Sequence, residues 1–338
     1  MELDVAGHPT HSRAFTVELA QRDDGRLDLR ASILDLRKRG FVPVAGDLQG
    51  PGIVHHMQLA GVVDPAVPRI DTIVAAQPNV AFEPSAVTGG ESCRDPIRRI
   101  EALAGVALDA EFPRRLGAEI GGNRGCSHLL TLAQLTGATV VWALAHDPAS
   151  GPRRPGERRF RRDVVIDGHE PNAGRLQLAV QLTDLHFAPA PAVATPMTRF
   201  GAERTLRLRA DVALGTFQID AATGAERYRE AGTLDAAWTS RDAALARVAG
   251  LNLARGATAE LLRRFDAPGD DRPLLDALLM LAPTIIQCMA ANSEPFAAWY
   301  QHDPSLVAMG GMTDSCYMWR RDGVLQRHLG PSDPKPRR

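Results

Sequence analysis

Gly25-Arg26-Leu27-Asp28-Leu29-Arg30-Ala31-Ser32-Ile33-Leu34-Asp35 returns later in the chain as Gly174-Arg175-Leu176-Gln177-Leu178-Ala179-Val180-Gln181-Leu182-Thr183-Asp184, an offset of 174 − 25 = 149 residues. At the same offset Ile70-Asp71 meets Ile219-Asp220, and Arg114-Arg115 meets Arg263-Arg264. Ala104-Gly105 and Ala249-Gly250 correspond at 249 − 104 = 145, so small insertions and deletions cancel between the anchors. The chain reads as a tandem duplication, and the duplication acts as an internal control. Residues kept by both copies serve the fold; residues kept by one are candidates for function.

Around the quoted stretch the pattern is that of strands. Phe15 to Leu19 alternates, Asp23-Asp24-Gly25 is a hairpin turn, and Arg26 to Arg37 runs on as a second strand. In that strand Leu27, Leu29 and Ala31 share one side while Leu34 and Leu36 take the other, which predicts a bulge or a twist near Ser32. Segments 53–63 and 69–76, joined by Asp64-Pro65-Ala66-Val67-Pro68, complete an antiparallel meander. Helices come next: a short one after Asp95-Pro96, and a long apolar one from about Cys126 to Leu144. The second copy repeats the plan with strands over 175–186, 203–213 and 217–222, a helix capped by Ser240, and a long helix over 272–291 that Pro283 kinks.

The expected fold class is therefore α+β, each copy an antiparallel β-meander followed by helices. The expected organisation is a first copy over 12–147, a Pro/Arg-rich solvated linker over 148–162, a second, degenerate copy over 163–292, and a tail over 293–338 that packs across both. The tail concentrates Phe296, Trp299, Tyr300, Met309, Met312, Cys316, Tyr317, Met318 and Trp319.

Composition narrows the function. The net charge is −1 and aromatic residues, 5% of the chain, are not interleaved with a basic patch, so neither nucleic acid nor an anionic membrane is an expected partner. No basic n-region opens the chain and no uninterrupted apolar run reaches a membrane span, so the expectation is a bacterial cytoplasmic protein. Four widely spaced cysteines read as thiols rather than as a disulfide framework. Glycine-rich nucleotide loops are absent, which argues against a nucleotide cofactor.

Only the first copy carries Cys93, Cys126 and His128; the matching places hold Ser240, Leu275 and Ala277. Cys126 opens the long helix, where free amides and the helix dipole favour a thiolate, and His128 lies within the same first turn. His55-His56 lies in a strand, so one imidazole faces the helices and the other faces away. Asp35, kept as Asp184, serves the fold and is a further candidate base. Arg124 is a candidate anion contact, and Cys316 a residue of a segment that closes over the site.

The pattern of Leu34-Asp35, His55-His56-Met57, Cys93 and the Gly125-Cys126-Ser127-His128-Leu129 box resembles an uncharacterised bacterial family, domain of unknown function 2889, over roughly residues 14–145. That resemblance implies a domain and no established activity. A weaker likeness, in element order, is to iron–sulfur scaffold proteins of the IscU type.

Two functions are expected from these residues. One is a small-molecule catabolic enzyme, a lyase or hydrolase on an aromatic or acyl substrate. Its catalytic residues are Cys126, His128, His56 and Asp35, with Arg124 and Cys316 on the substrate, in copy one near the inter-copy cleft. The other is a zinc, iron or iron–sulfur protein with Cys93, Cys126, His128 and His55 as ligands. A non-catalytic interaction protein is a third reading. The oligomeric state is left open.

Overall fold

The computed structural model describes residues 3–40, 42–44, 47–148, 151–189, 200–231, 233, 235–254, 256–265, 271–291 and 313–328. Among these residues nine strands form one antiparallel sheet, and helices cover one of its faces. In chain order the strands are β1 (His8–Gln21), β2 (Leu27–Arg37), β3 (Val42–Val44), β4 (Asp47–Gln49), β5 (Gly52–Asp64), β6 (Arg69–Asn79), β7 (Arg158–Asn172), β8 (Arg175–Phe187), β9 (Phe200–Ala213), β10 (Gln218–Glu230) and β11 (Thr239–Ser240). The sheet order is β11-β10-β9-β8-β7-β1-β2-β5-β6, and β3 and β4 pair separately. The two halves of the chain therefore meet edge to edge at β1 and β7, and their buried residues form one continuous apolar cluster.

The β1–β7 register is reciprocal. Phe15 pairs with Val164, which is 15 + 149; Arg13 pairs with Ile166 and Val17 with Arg162, which are each other's residues plus 149. Such a pattern belongs to an isologous contact, here made within one chain. The hairpins on either side turn on Gly25 (φ 82) and Gly174 (φ 85), a left-handed conformation that suits glycine.

Strand β2 has no bulge at Ser32. Its inward face runs Leu27, Leu29, Ala31, Ile33, Asp35 and Arg37 without a change of parity, all buried. Apolar periodicity switches faces there because the buried face turns from apolar to charged at Asp35. The irregularity lies one step on, where β5 slips against β2 between Asp35 and Leu36.

The helices that matter most are α1 (Phe112–Ile120) and α2 (Ser127–Ala145) of the first half. In the second half they are α3 (Asp242–Leu245), α4 (Ala257–Phe265), α5 (Arg272–Leu279) and α6 (Leu281–Ala291). α2 packs on β1, β2 and β5; α6 packs on β1, β2 and β7, and so reaches back over the first half. The α5–α6 break at Met280 lies just before Pro283, which lacks the donor that would continue one helix into the next. By length and hydropathy Ser127–Ala145 and Arg272–Ala291 are long and apolar enough to cross a membrane, although polar residues interrupt both. In the structure both lie against the sheet.

Arg158 to Arg162, assigned from sequence to the linker, are strand residues of β7, and Arg162 is fully buried. Its Nε and Nη2 donate to Asp184 Oδ1 and Oδ2 at 2.6 and 2.7 Å. Residues 313–328 of the tail pack on the first half, with Tyr317 N donating to Gly125 O and Arg320 bonded to Glu91. Phe296, Trp299, Tyr300, Met309 and Met312 lie outside the described residues, as does most of the Pro/Ala stretch from Pro189 to Pro196.

Removing one partner of a buried ion pair strands the other charge, at a cost of about 3–5 kcal/mol. Arg162→Met is expected to lose that much stability in urea unfolding. Arg158→Ala, at an exposed arginine of the same strand, should change it by less than about 0.5 kcal/mol. Equal effects would place both arginines in a solvated linker.

Candidate functional site

The first half holds a counterpart of the Arg162–Asp184 pair. Arg13 on β1 and Asp35 on β2 sit opposite one another, and Arg13 Nε and Nη2 donate to Asp35 Oδ1 and Oδ2 at 2.7 and 2.9 Å. Both are buried to within 1% of full exclusion from water. Three imidazoles complete the surroundings. His11 Nε2 lies 2.9 Å from Oδ1, while His55 Nδ1 and His128 Nε2 lie 3.3 and 3.4 Å from Oδ2. The rings of His55 and His128 stack with centroids 3.8 Å apart.

Local structure explains each placement. Strand alternation puts His11 and Arg13 on the same inward face as Phe15, Val17 and Leu19. His55 continues the inward series of Met57 and Leu59, so it faces Asp35 across β2 and β5. His56 has the other parity, pairs with Leu34, and contacts Gln58 on the exposed side. Cys126 is the N-cap residue of α2, so His128 in its first turn points back toward the strand pair.

Electrostatics separate the groups. Burial alone would raise Asp35, but the Arg13 charge, the bond from His11 and the nearby rings of His128 and His55 hold it well below the usual carboxylate range. Asp35 is thus an anion. Burial lowers His128 to about 3, with the neighbouring His55 adding to the effect against Asp35. Burial likewise lowers His11 despite its bond to Asp35. At neutral pH both rings are uncharged and one nitrogen of each accepts.

The thiols differ from the sequence expectation. Burial pushes Cys126 up to about 11, and the helix amides of Leu129 and His128 offset this only in part. Cys93 and Cys316 are raised too, first by burial. Cys126 and Cys316 add to the field on Cys93, and Cys316 to that on Cys126, so the three share one neighbourhood of neutral thiols. A thiolate nucleophile at Cys126 is therefore not supported.

Of the residues expected from sequence, the structure brings together Asp35, His55 and His128, with Cys126 beside them. It sets His56 on the opposite face. It also directs Arg124 outward, where the exposed side chain donates to Gly117 O at 3.0 Å. Cys316 is held near Cys126 by the tail, one residue before the Tyr317–Gly125 bond. Sequence reasoning missed His11 and Arg13. The signal for Arg13 was present, since Arg162 stands 149 residues on.

The second half fills the equivalent place differently. Arg204 lies opposite Asp184, as His55 lies opposite Asp35. Trp142 of α2 packs with Phe160, His186 and the guanidinium groups of Arg162 and Arg204. Arg162 also meets a second carboxylate, Asp276, which is fixed in turn by Arg272. Arg162 is thus bonded through all three of its nitrogens, while both ring nitrogens of His186 are buried without a hydrogen-bond partner among the described residues.

Among known proteins, a family described as "Protein of unknown function (DUF2889)" matches residues 11–141. The match spans the Asp35 cluster and ends before β7. No curated protein matches the chain.

Uncharged burial of His128 has a defined pH signature. Its folded value lies below 6.5, so the unfolded chain binds the extra proton. Stability is unaffected above that value and falls as pH drops from 6.5 toward 3. For His128 alone the loss is ~2 kcal/mol near pH 5. His128→Ala should flatten the slope of melting temperature against pH in this window. An unchanged slope would mean that the imidazole titrates normally.

Proposed function

We propose that the chain is a small-molecule enzyme, a lyase or hydrolase, that works by general acid–base catalysis at the Asp35 cluster. The observation that carries this reading is the pair of stacked imidazoles on one buried, anionic carboxylate, with no equivalent pair among the described residues of the second half. A neutral imidazole takes a proton from substrate or water, and an adjacent carboxylate orients the ring; burial makes His128 a weak base, so a proton it takes is passed on at once. Here Asp35 would do this for His55 and His128 through Nδ1 and Nε2, leaving His55 Nε2 and His128 Nδ1 for the substrate. Arg13 keeps Asp35 ionised, so the proton stays on the imidazole. The cysteines, as neutral thiols, line this region without supplying a nucleophile. Aromatic and acyl compounds remain the substrate class proposed from the sequence.

A second reading has one observation in its favour. The separations of 3.3 and 3.4 Å from Asp35 Oδ2 to His55 Nδ1 and His128 Nε2 are close to the edge of a tetrahedron around zinc, about 3.4 Å for bonds of ~2.05 Å. Asp35, His55 and His128 would then be the ligands, in place of the cysteines. Weighing against it, Arg13 already neutralises the carboxylate that would attract the cation.

Both readings are tested with tag-free protein, a panel of aromatic and acyl substrates, and metal analysis. The acid–base reading predicts that turnover survives chelation. His55→Ala and His128→Ala should each lose about 10²–10⁴-fold in turnover, while His56→Ala keeps it. Stoichiometric zinc or iron that vanishes in His128→Ala, with activity lost on chelation, would replace it by the metal reading.

A further inference from the structure

The guanidinium groups of Arg13 and Arg162 make the same bidentate bond to their aspartates but differ at the remaining nitrogen. Arg162 Nη1 donates to Asp276 Oδ2 at 2.5 Å and to Thr139 Oγ1 at 3.0 Å. Arg13 Nη1 is buried and, among the described residues, has no hydrogen-bond partner. Arg13 and Arg162 are the most deeply buried of the described arginines, and a buried charged donor without an acceptor is costly.

The reason for the difference is visible 149 residues away from each acceptor. Asp276 is replaced by Ser127 (276 − 127 = 149), and Thr139 by Cys288 (139 + 149 = 288). Cys288 occupies its counterpart's place: α6 packs on β1, and the thiol lies against Gly168 and hydrogen-bonds with Thr10. A thiol is a weak acceptor, and serine offers no carboxylate. The surroundings are also reduced in size. Trp142 corresponds to Ala291 (291 − 142 = 149), Arg204 to His55 and Leu275 to Cys126, whereas His128 for Ala277 and Arg37 for His186 go the other way. Arg37 spends its guanidinium on the carbonyls of Gln49 and Gly50.

We propose that the first half binds a small organic carboxylate, one oxygen of which accepts from Arg13 Nη1 as the Asp276 carboxylate accepts from Arg162. For the chemistry after binding the inference rests on the acid–base reading, and it names the substrate class: a carboxylic acid. Arg13, His55 and His128 all contact the same Asp35 carboxylate. An acid anchored on Arg13 therefore brings its carbon skeleton to the two imidazoles. Arg13 takes the role assigned from sequence to Arg124.

The test is binding of formate, acetate and benzoate against formamide, acetamide and benzamide, by calorimetry or NMR, in wild type and in Ser127→Asp. Arg13 variants lose the pair with Asp35 and are expected to unfold, so the informative variant installs the acceptor of the second half. Wild type should bind at least one carboxylate about tenfold or more tightly than its amide. Ser127→Asp should satisfy Arg13 internally, raise the melting temperature, and lose that binding by at least about tenfold. The proposal is overturned if no carboxylate is preferred to its amide, if Ser127→Asp binds as wild type does, or if that variant melts no higher than wild type. Binding is read without turnover, so a wrong reaction assignment leaves this test intact.

Discussion

Two arginine–aspartate pairs, buried on the inward face of the four central strands, are the constraint on which the rest depends. Neither charge of either pair can reach water, and the desolvation of each is repaid only by a bidentate partner in good geometry. Arg13 must therefore lie opposite Asp35, and Arg162 opposite Asp184, which fixes the β1–β2 and β7–β8 registers to the residue. A slip by one position would turn all four groups to the other face. The helices that seal this face must then be long and apolar, and α2 and α5–α6 are.

From the same frame the two halves diverge in chemistry. Around Asp184 the ion pairs are closed: Asp276, Thr139 and Arg272 complete the network, and Trp142 and Phe160 fill the space beside it. Around Asp35 the surroundings are three imidazoles and a guanidinium nitrogen with no acceptor among the described residues. Buried groups left incomplete in this way weaken a fold, and such violations gather at functional sites. This asymmetry is the ground on which the Asp35 cluster is proposed as the site.

Much of this is legible in the sequence because it rests on local rules. Alternation, turn residues and the repeated offset are enough for an α+β chain with meanders followed by helices; the offset marks Cys93, Cys126 and His128, while it gives Asp35 to the fold and leaves His55 and His56 undivided. The exceptions arise where a buried face is polar. Hydrophobic periodicity cannot track a strand whose inward residues become His11 and Arg13, or Asp35 and Arg37, so it shortens β1 and puts a bulge in β2. The same blindness places Arg162 in a linker, although β7 begins at Arg158. For Cys126 the helix dipole points to a thiolate, but burial outweighs it. Sequence does not reveal desolvation.

The central claim is that Asp35 holds the stacked rings of His55 and His128 in place for chemistry, with His128 uncharged. Its most direct test is nitrogen-15 NMR of the histidine side chains from about pH 8 to about pH 4, with His55→Ala and His128→Ala for assignment. The account predicts that the His128 ring stays uncharged through this range, with its Nε2 shift displaced by Asp35. A His128 ring that takes up its proton near 6.5, without response to the loss of His55, would contradict it.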